Sequence, residues 1–182
     1  MKKKLLLQVK FFVVAFLNVT YNFVPNPLRR YYLRLFGIRF DKNGKNYIHR
    51  RCKFFHVGNL IVGHNSCINF GCYLDNRRMI TIGNNVSIAH NTKIYTLGHD
   101  ISSRKFSTVG KSVRICDNVF IFSNSMIMPG VTIGEGAIIL SGSVVTKDVE
   151  PWAIVGGNPA KKLKDRLEGV EYQSNYGYWF AL

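Results

Sequence analysis

A period of six residues runs through most of this sequence and limits the folds that it can adopt. From residue 115 onward every sixth residue is aliphatic, and the residue four places after each one is small or β-branched. A strand repeats every two residues and a helix every 3.6, so a period of six predicts stacked repeats of short strands. The aliphatic positions are Ile115, Ile121, Ile127, Ile133, Ile139 and Val145, and the small ones are Val119, Ser125, Val131, Ala137, Ser143 and Val149.

The repeat predicts an all-β solenoid. Each hexapeptide forms one flat side, its aliphatic residue points inward, and the small residue fits beside a corner. Turns such as IGNN and IGEG supply the positive φ values that corners need. Two extra residues between Leu74 and Ile82 fit a bulge at one corner. We therefore predict a solenoid over residues 46–160, a hydrophobic and basic helical segment over 1–45, and a short C-terminal helix and tail over 161–182.

One long interruption breaks the repeat. Ile94 and Ile115 keep the inward phase but are 21 residues apart, 15 more than the six of one hexapeptide. Long excursions from a rigid scaffold commonly carry function, so residues 98–112 are predicted to form a functional loop. His99 lies at the root of this loop and is the one histidine at a break in the repeat. We therefore take His99 as the candidate catalytic residue.

The composition indicates one globular domain with an excess of positive charge. The chain has 182 residues, 47% of them hydrophobic, and 25 lysines and arginines outnumber 10 acidic residues. A net charge of +15 favours an anionic partner: nucleic acid, an acidic lipid surface or a phosphate-bearing ligand. The basic residues cluster at the two ends and in the loop, not along a groove with interleaved aromatic residues. This distribution argues against nucleic acid.

The cysteines and histidines show no metal-binding spacing. Cys52, Cys67, Cys72 and Cys116 form no CxxC pair, and the histidines do not recur at matched positions of adjacent repeats. The cysteines fit the repeat as small buried or turn residues, which indicates a reducing compartment. We therefore expect a cytoplasmic protein without a metal site.

The first 24 residues leave three interpretations open. Three lysines precede LLLQVKFFVVAFLNVTYNFV, in which Lys10 is the one charged residue. Such a segment fits a helix lying on or dipping into a membrane, with basic and aromatic flanks on anionic headgroups. It also fits a helix packed on the protein's own body or at a subunit contact, or a cleaved signal sequence. The first interpretation would bring the protein to the inner face of a membrane.

Three further stretches resemble one known family. LGHD surrounds His99, INFGCYLD lies upstream, and SGSVVTKDVEPWAIVGGNPAKKLK follows the last repeats. Together with the hexapeptides they resemble the hexapeptide-repeat acyltransferases, in particular the galactoside and maltose O-acetyltransferases and their relatives in surface-polysaccharide synthesis. The resemblance covers Asn46 to Arg166 and implies a left-handed parallel β-helix. It also implies a homotrimer whose active sites lie between neighbouring chains.

The resemblance assigns roles to individual residues. His99 corresponds to the catalytic general base that lets a sugar hydroxyl attack the thioester of acetyl-CoA directly, and imidazole suits this role because it titrates near neutral pH. Asp100 stands where the sugar enzymes commonly have proline. Asn69 and Asp75 are implied to contact the sugar. The implied contacts to the acetyl-CoA co-substrate are Ser123, Ser141, Thr146, Lys147, Lys161 and Lys164.

The predicted function is therefore acetyl transfer from acetyl-CoA to a sugar hydroxyl, in a precursor of a surface polysaccharide. Two neighbouring activities stay open: N-acetylation of an amino sugar and a serine-type acetyltransferase activity. An alternative of another class is a non-catalytic basic solenoid that binds membrane or nucleic acid. Consumption of thioester by the wild type but not by a His99 variant would separate the enzyme from the scaffold.

Overall fold

Short strands recur at the spacing of the repeat and stack into three sheets, A, B and C. The computed structural model describes residues 2–41, 44–169 and 171–172. Sheet A contains β1 (Arg39–Phe40), β4 (Leu60–Val62), β7 (Ile80–Ile82), β12 (Val113–Ile115) and β15 (Thr132–Ile133). Sheet B contains β2 (Tyr47–Ile48), β5 (Cys67–Ile68), β8 (Ser87–Ile88), β13 (Phe120–Ile121), β16 (Ile138–Ile139), β18 (Ala153–Gly156) and β19 (Lys161–Asp165). Sheet C contains β3 (Lys53–Phe54), β6 (Tyr73–Leu74), β9 (Lys93–Ile94), β14 (Met126–Ile127) and β17 (Val144–Val145).

The chain visits the sheets in the order A, B, C, and each coil lies on the one before it. Pairing from coil to coil is parallel, so equivalent repeat positions stack: Ile121 lies opposite Ile88 on one side and Ile139 on the other. All three side chains are buried in one continuous core. Burying an aliphatic side chain of this size stabilises a fold by about 1.5–3 kcal/mol, so the column of inward aliphatic residues is the main source of stability. The predicted solenoid is confirmed.

Two corners of the coil matter for function, and each presents one residue per coil at equivalent positions. The BC edge is the corner where the chain turns from sheet B to sheet C. The CA edge is the corner where it turns from sheet C to sheet A. Phe70, His90, Ser123 and Ser141 lie at equivalent positions of the BC edge, and Asp75, Tyr95, Met128 and Thr146 lie at equivalent positions of the CA edge.

The corners are made by residues that tolerate positive φ. At the BC edge Gly71, Asn91, Asn124 and Gly142 follow one another in successive coils, with φ values of 74°, 59°, 62° and 70°. Glycine has no Cβ to clash there, and asparagine visits this region more readily than other side chains. The glycine and asparagine turns in the sequence therefore set where each coil bends.

Two helices cover the first coil. They are α1 (Lys2–Thr20) and α2 (Asn26–Leu35), joined by a 3-10 turn, Tyr21–Phe23. The Asn18 side chain donates to the Phe54 carbonyl and accepts from the Phe54 amide, at 2.8 and 2.9 Å. The Tyr21 hydroxyl donates to the Cys52 carbonyl at 2.8 Å. These contacts fix the C-terminal end of α1 and the turn after it to the solenoid, and the predicted N-terminal helical segment is confirmed.

The predicted C-terminal helix is wrong. Residues Lys161–Asp165 form β19, which pairs antiparallel with β18 and extends sheet B. The helix preference of Lys and Leu is weak and is readily overridden, whereas β18 would otherwise leave an edge of unpaired backbone groups at the end of the coil. The solenoid sheets therefore continue past residue 160, and they begin with Arg39, before the predicted start at 46. Residues 170 and 173–182, including the predicted tail, lie outside the described residues.

Two of the four cysteines, Cys52 and Cys72, occupy the places that the repeat assigns to small residues, four after Ile48 and Ile68. Cys52, Cys67 and Cys72 are buried, Cys116 is half-buried, and all four are free thiols. Burial raises the pKa of the Cys67 thiol to about 12. These thiols therefore serve as packing groups in the coil.

Candidate active site

A hairpin arm leaves the solenoid at the CA edge and carries His99. Its strands, β10 (Leu97–His99) and β11 (Thr108–Gly110), pair antiparallel, with Leu97 opposite Gly110 and His99 opposite Thr108. A Cβ on Gly110 would lie 2.9 Å from the Thr96 carbonyl oxygen, so glycine is needed where the arm joins the coil. The 15 extra residues do leave the coil, as predicted. His99 is the last residue of β10, near the start of the arm, and residues 100–107 extend beyond it, as predicted.

Contacts within the arm orient the His99 imidazole. Nδ1 lies 2.9 Å from the carbonyl oxygen of Phe106, and the two rings stack with centroids 4.5 Å apart and an angle of 7° between their planes. A carbonyl oxygen can only accept, so Nδ1 carries the proton, and Nε2 of the neutral ring has a free lone pair. Phe106 has a φ of 48°, an unusual value for a bulky residue. The chain therefore adopts a strained turn at the residue that fixes the tautomer of His99.

A groove of about 460 Å³ lies between the arm and the solenoid. His99 lines the groove, which is open to solvent in the single chain. Its other walls are mainly apolar, with one cation. They include Tyr95, Leu97, Val109, Lys111 and Met128. The groove can accept a partly apolar group beside His99.

An aromatic row leads along the outside of sheet C to this groove. The Phe55 and Tyr73 ring centroids are 4.5 Å apart, and those of Tyr73 and Tyr95 are 5.4 Å apart. Tyr95 belongs to both the row and the wall of the groove. We call these three residues the aromatic row; no pattern in the sequence set them apart from other aromatic residues.

Asp75, a predicted sugar contact, is fully buried and bound to Arg77. The guanidinium donates to both carboxylate oxygens, Nε to Oδ1 at 2.7 Å and Nη2 to Oδ2 at 2.9 Å. Burial alone would raise the pKa of Asp75, but the hydrogen bonds and charge of Arg77 outweigh burial and lower the pKa. The group that solvent meets at this corner is Arg77, with 45% of its side chain exposed. A sugar could reach the Asp75 carboxylate only if Arg77 moved aside.

Asn69 and two of the predicted co-substrate contacts lie across sheet C from His99. Asn69 is half-buried and follows β5 at the BC edge. Ser123 and Ser141 stack at the same edge, where the Gly142 amide donates to the Ser123 carbonyl at 3.0 Å. The arm with His99 begins at the opposite, CA edge. One chain therefore does not bring these residues to the His99 imidazole.

The remaining predicted contacts lie in the last coils. Thr146 and Lys147 are exposed at the CA edge, one coil above Met128 in the wall of the groove. Lys161 and Lys164 are exposed on β19, opposite Gly156 and Ile154 of β18. Lys162 between them binds Glu150 and Asp165, both at 2.8 Å. In the described part of the chain Lys161 and Lys164 form no ion pair, so their charges stay available to an anion.

Two residues that contact the predicted site residues were missed in the sequence. Phe106 binds His99 through its carbonyl and its ring, and Arg77 binds Asp75. Arg77 could have been suspected, because an arginine two residues from an aspartate at a corner is within reach of its carboxylate. Phe106 lies seven residues from His99, and only the hairpin register brings them together.

No group of three or more His, Cys, Asp or Glu side chains within residues 2–41, 44–169 and 171–172 is arranged to hold a metal ion. The site described above consists of an imidazole, aromatic rings, one carboxylate–guanidinium pair and free cations. Its polar groups can move a proton and bind anions.

Comparisons with known proteins agree on one family. Residues 112–147 match the profile described as bacterial transferase hexapeptide (six repeats). A maltose O-acetyltransferase from Clostridium difficile 630 is 32% identical and superposes with a TM-score of 0.79, over 90% of this chain and 89% of that one. A hexapeptide-repeat-containing acetyltransferase from Vibrio cholerae, complexed with acetyl coenzyme A, is 30% identical with a TM-score of 0.72, over 85% and 86% of the two chains.

A curated relative gives the same family by sequence. The galactoside O-acetyltransferase of Escherichia coli K12 is 33% identical over 115 residues, which are 62% of this chain and 57% of that protein. The match thus spans little more than half the length of this relative. The chain belongs to the hexapeptide-repeat transferase family. The predicted left-handed parallel β-helix is confirmed with it.

Proposed function

We propose that this protein is an acetyl-CoA-dependent O-acetyltransferase that acts on a sugar hydroxyl. We take the acceptor to be a precursor of a surface polysaccharide and His99 to be the general base. One observation carries the proposal: the Phe106 carbonyl binds Nδ1 of His99, a residue that lines the groove, so that Nε2 is left as the basic nitrogen. Family membership, with relatives named as O-acetyltransferases, supports the same chemistry.

The reaction follows from the tautomer of His99. A sugar hydroxyl is a weak nucleophile, and Nε2 removes its proton as the oxygen forms a bond to the thioester carbonyl carbon. The carbonyl oxygen takes the negative charge of the tetrahedral intermediate. When that intermediate collapses, the C–S bond breaks and the imidazolium returns the proton to the sulfur, giving free CoA and the acetyl ester. Nδ1 keeps its proton throughout, because its N–H donates a hydrogen bond to the Phe106 carbonyl.

The aromatic row and the free cations suit the two substrates. Phe55, Tyr73 and Tyr95 offer a stacked apolar surface that ends at the groove, which fits the apolar faces of sugar rings. Lys161 and Lys164 offer charge to the phosphates of CoA, as point charges that do not impose a bidentate geometry. A relative solved with acetyl coenzyme A supports this co-substrate.

The division of the site residues between two edges supports a homotrimer. His99 is reached from the CA edge, whereas Ser123 and Ser141 lie at the BC edge of the same chain. If a second chain laid its BC edge against the groove, the base of one chain would face the co-substrate contacts of the next. A cyclic trimer forms three such contacts, each between the BC edge of one chain and the groove of its neighbour.

The general-base role is tested by release of free thiol from acetyl-CoA. Purified wild-type protein, His99→Ala and His64→Ala are assayed with a panel of sugars and amino sugars. His64 is the matched control, a half-exposed histidine 3.5 Å from Asp41 and away from the groove. We expect His99→Ala to lower kcat by about 10²–10⁴-fold and His64→Ala to leave it unchanged. Equal turnover by all three proteins, or no turnover with any acceptor, would overturn the proposal, and exclusive use of amino sugars would make it an N-acetyltransferase.

The shared site is tested by mixing two inactive proteins. His99→Ala and Ser141→Trp are each mixed with themselves or with one another after mild dissociation, and the mass is followed by light scattering. If each site takes His99 from one chain and Ser141 from its neighbour, random exchange in a cyclic trimer restores roughly a quarter of the sites. A monomeric mass near 20.8 kDa, or no recovery of activity in a trimer shown to exchange, would contradict the arrangement.

A further inference from the structure

The first helix has an exposed apolar face that the solenoid does not cover. On α1 and the turn after it, apolar side chains recur at alternating intervals of four and three residues and so form one stripe along the helix. Their exposed fractions run from 49% to 80%. We call them the apolar stripe: Leu5, Val9, Phe12, Phe16, Val19 and Phe23.

The stripe is not the usual core-facing side of an amphipathic helix. That role belongs to Leu17 and Tyr21, which are fully buried against the first coil. A helix that is apolar on its outer side as well needs a second apolar environment. A groove of about 380 Å³ between α1 and Val57, lined mainly by apolar side chains, extends this surface toward the solenoid.

Charge identifies that environment. The first 40 residues contain eight basic residues and no acidic one: Lys2, Lys3, Lys4, Lys10, Arg29, Arg30, Arg34 and Arg39. Three of the lysines begin α1, where the helix macrodipole favours negative groups and the first turn contains none. Cations at this end are stabilised if an anionic surface faces them. A second copy of the same segment would instead bring like charges together.

We propose that the apolar stripe, with the lysines at the start of α1, docks onto the surface of an anionic lipid bilayer. Residues Lys4–Phe23 are long and apolar enough to cross a membrane, but Asn18 and Tyr21 are bound to the solenoid. The part of α1 before Val13 is about 16 Å long at 1.5 Å per residue, roughly half of the ~30 Å hydrocarbon core. The helix therefore lies in the interface and does not span the bilayer.

Co-sedimentation with vesicles tests the docking. The full-length protein is mixed with vesicles of phosphatidylcholine alone or with 30 mol% phosphatidylglycerol, at low and at high salt. We expect pelleting with the anionic vesicles at low salt and much less with the neutral ones. Lys2→Gln/Lys3→Gln/Lys4→Gln should weaken binding on the order of 100-fold at low salt, because each basic residue near an anionic surface contributes about 1 kcal/mol.

Two matched triple variants distinguish vesicle binding through the apolar stripe from nonspecific binding through other exposed apolar side chains. Leu5→Gln/Val9→Gln/Phe12→Gln keeps helix-forming side chains and should lower the apparent vesicle affinity by at least about tenfold. The control is Ile101→Gln/Leu163→Gln/Leu167→Gln, whose parent residues are 60% to 91% exposed elsewhere on the chain. It should bind as the wild type does. Circular dichroism verifies that all variants keep their fold.

Three results would overturn the proposal. The wild type could fail to bind anionic vesicles, or the stripe variant could bind as well as its control. The stripe variant could also lower the mass found by light scattering while the wild type binds no vesicle, which would place the stripe between copies of this chain. The assay measures no acetyl transfer, so its outcome is independent of the proposed reaction.

Discussion

The coils of the solenoid and the hairpin arm hold their side chains by different means. In the coils each position has a copy above and below it, and Ile121 is fully buried between Ile88 and Ile139. In the arm no position repeats, and Ile101 near its tip is 88% exposed. The coils owe their order to burial shared by many repeats. The arm holds His99 through one carbonyl and one ring, so few contacts decide its chemistry.

The same substitution in the two regions gives the largest expected contrast. Ile121→Ala should lower the free energy of unfolding by about 2–5 kcal/mol, because it leaves a cavity in a stacked core. Ile101→Ala should change it by less than about 0.5 kcal/mol, as at other exposed positions. Urea unfolding followed by circular dichroism measures both. Similar losses at the two positions would mean that the arm is part of the core in the assembled protein.

Phe106 offers a way to disturb the arm without disturbing the coils. Proline cannot adopt the φ of 48° found there, so Phe106→Pro should turn the carbonyl away from His99. We expect kcat to fall about 10–100-fold, the range typical of a catalytic group misplaced by about 1 Å. The free energy of unfolding should stay unchanged.

Phe106→Gly is the matched variant for that experiment. Glycine keeps the positive φ and the carbonyl but removes the stacked ring, so its loss in kcat should be smaller. The pH profile of kcat should change in the proline variant, where Nδ1 loses its acceptor. If both variants lost activity equally with unchanged pH profiles, the ring and not the carbonyl would position His99.

A corner residue tests how strictly the coils depend on backbone conformation. Asn124 has a φ of 62°, and Gly142 occupies the same place in the next coil. Asn124→Ala should cost about 1 kcal/mol of stability, because a left-handed conformation is unfavourable for alanine. Asn124→Gly should change the free energy of unfolding by about a few tenths of a kcal/mol at most. Equal urea midpoints for the two variants would show that the corner relaxes.

The smallest expected effect is the pH dependence of the Asp75–Arg77 pair. Since the pKa of Asp75 is lower in the folded chain, the pair stabilises the fold above the unfolded value of about 4, and this contribution is lost as the pH falls through the folded value. The stability difference between wild type and Asp75→Asn should therefore shrink on acidification below about pH 4. A difference that stays constant from pH 6 to pH 3 would contradict this.

The predictions made from the sequence were accurate for the coils and incomplete for the contacts within the arm and at the corners. Inward residues such as Ile121 and small residues such as Ser125 were assigned from spacing, because a coil repeats its environment every six residues. His99 was found because it interrupts that spacing. Its contact with Phe106, and the burial of Asp75 under Arg77, depend on where an arm folds back and how a corner bends. The strand Lys161–Asp165 was missed for a related reason: its structure depends on an open sheet edge and not on its own residues.

The hexapeptide period was enough to place the solenoid, its corners and the interruption of the coil, because only stacked short strands bury aliphatic residues at that spacing. Which nitrogen of His99 is basic, how Arg77 covers Asp75 and which face of the first helix stays uncovered became known from the folded chain. These features depend on the pairing of the hairpin, on the bend that places Arg77 over Asp75, and on where α1 packs on the first coil. The hexapeptide period carries no information on any of the three.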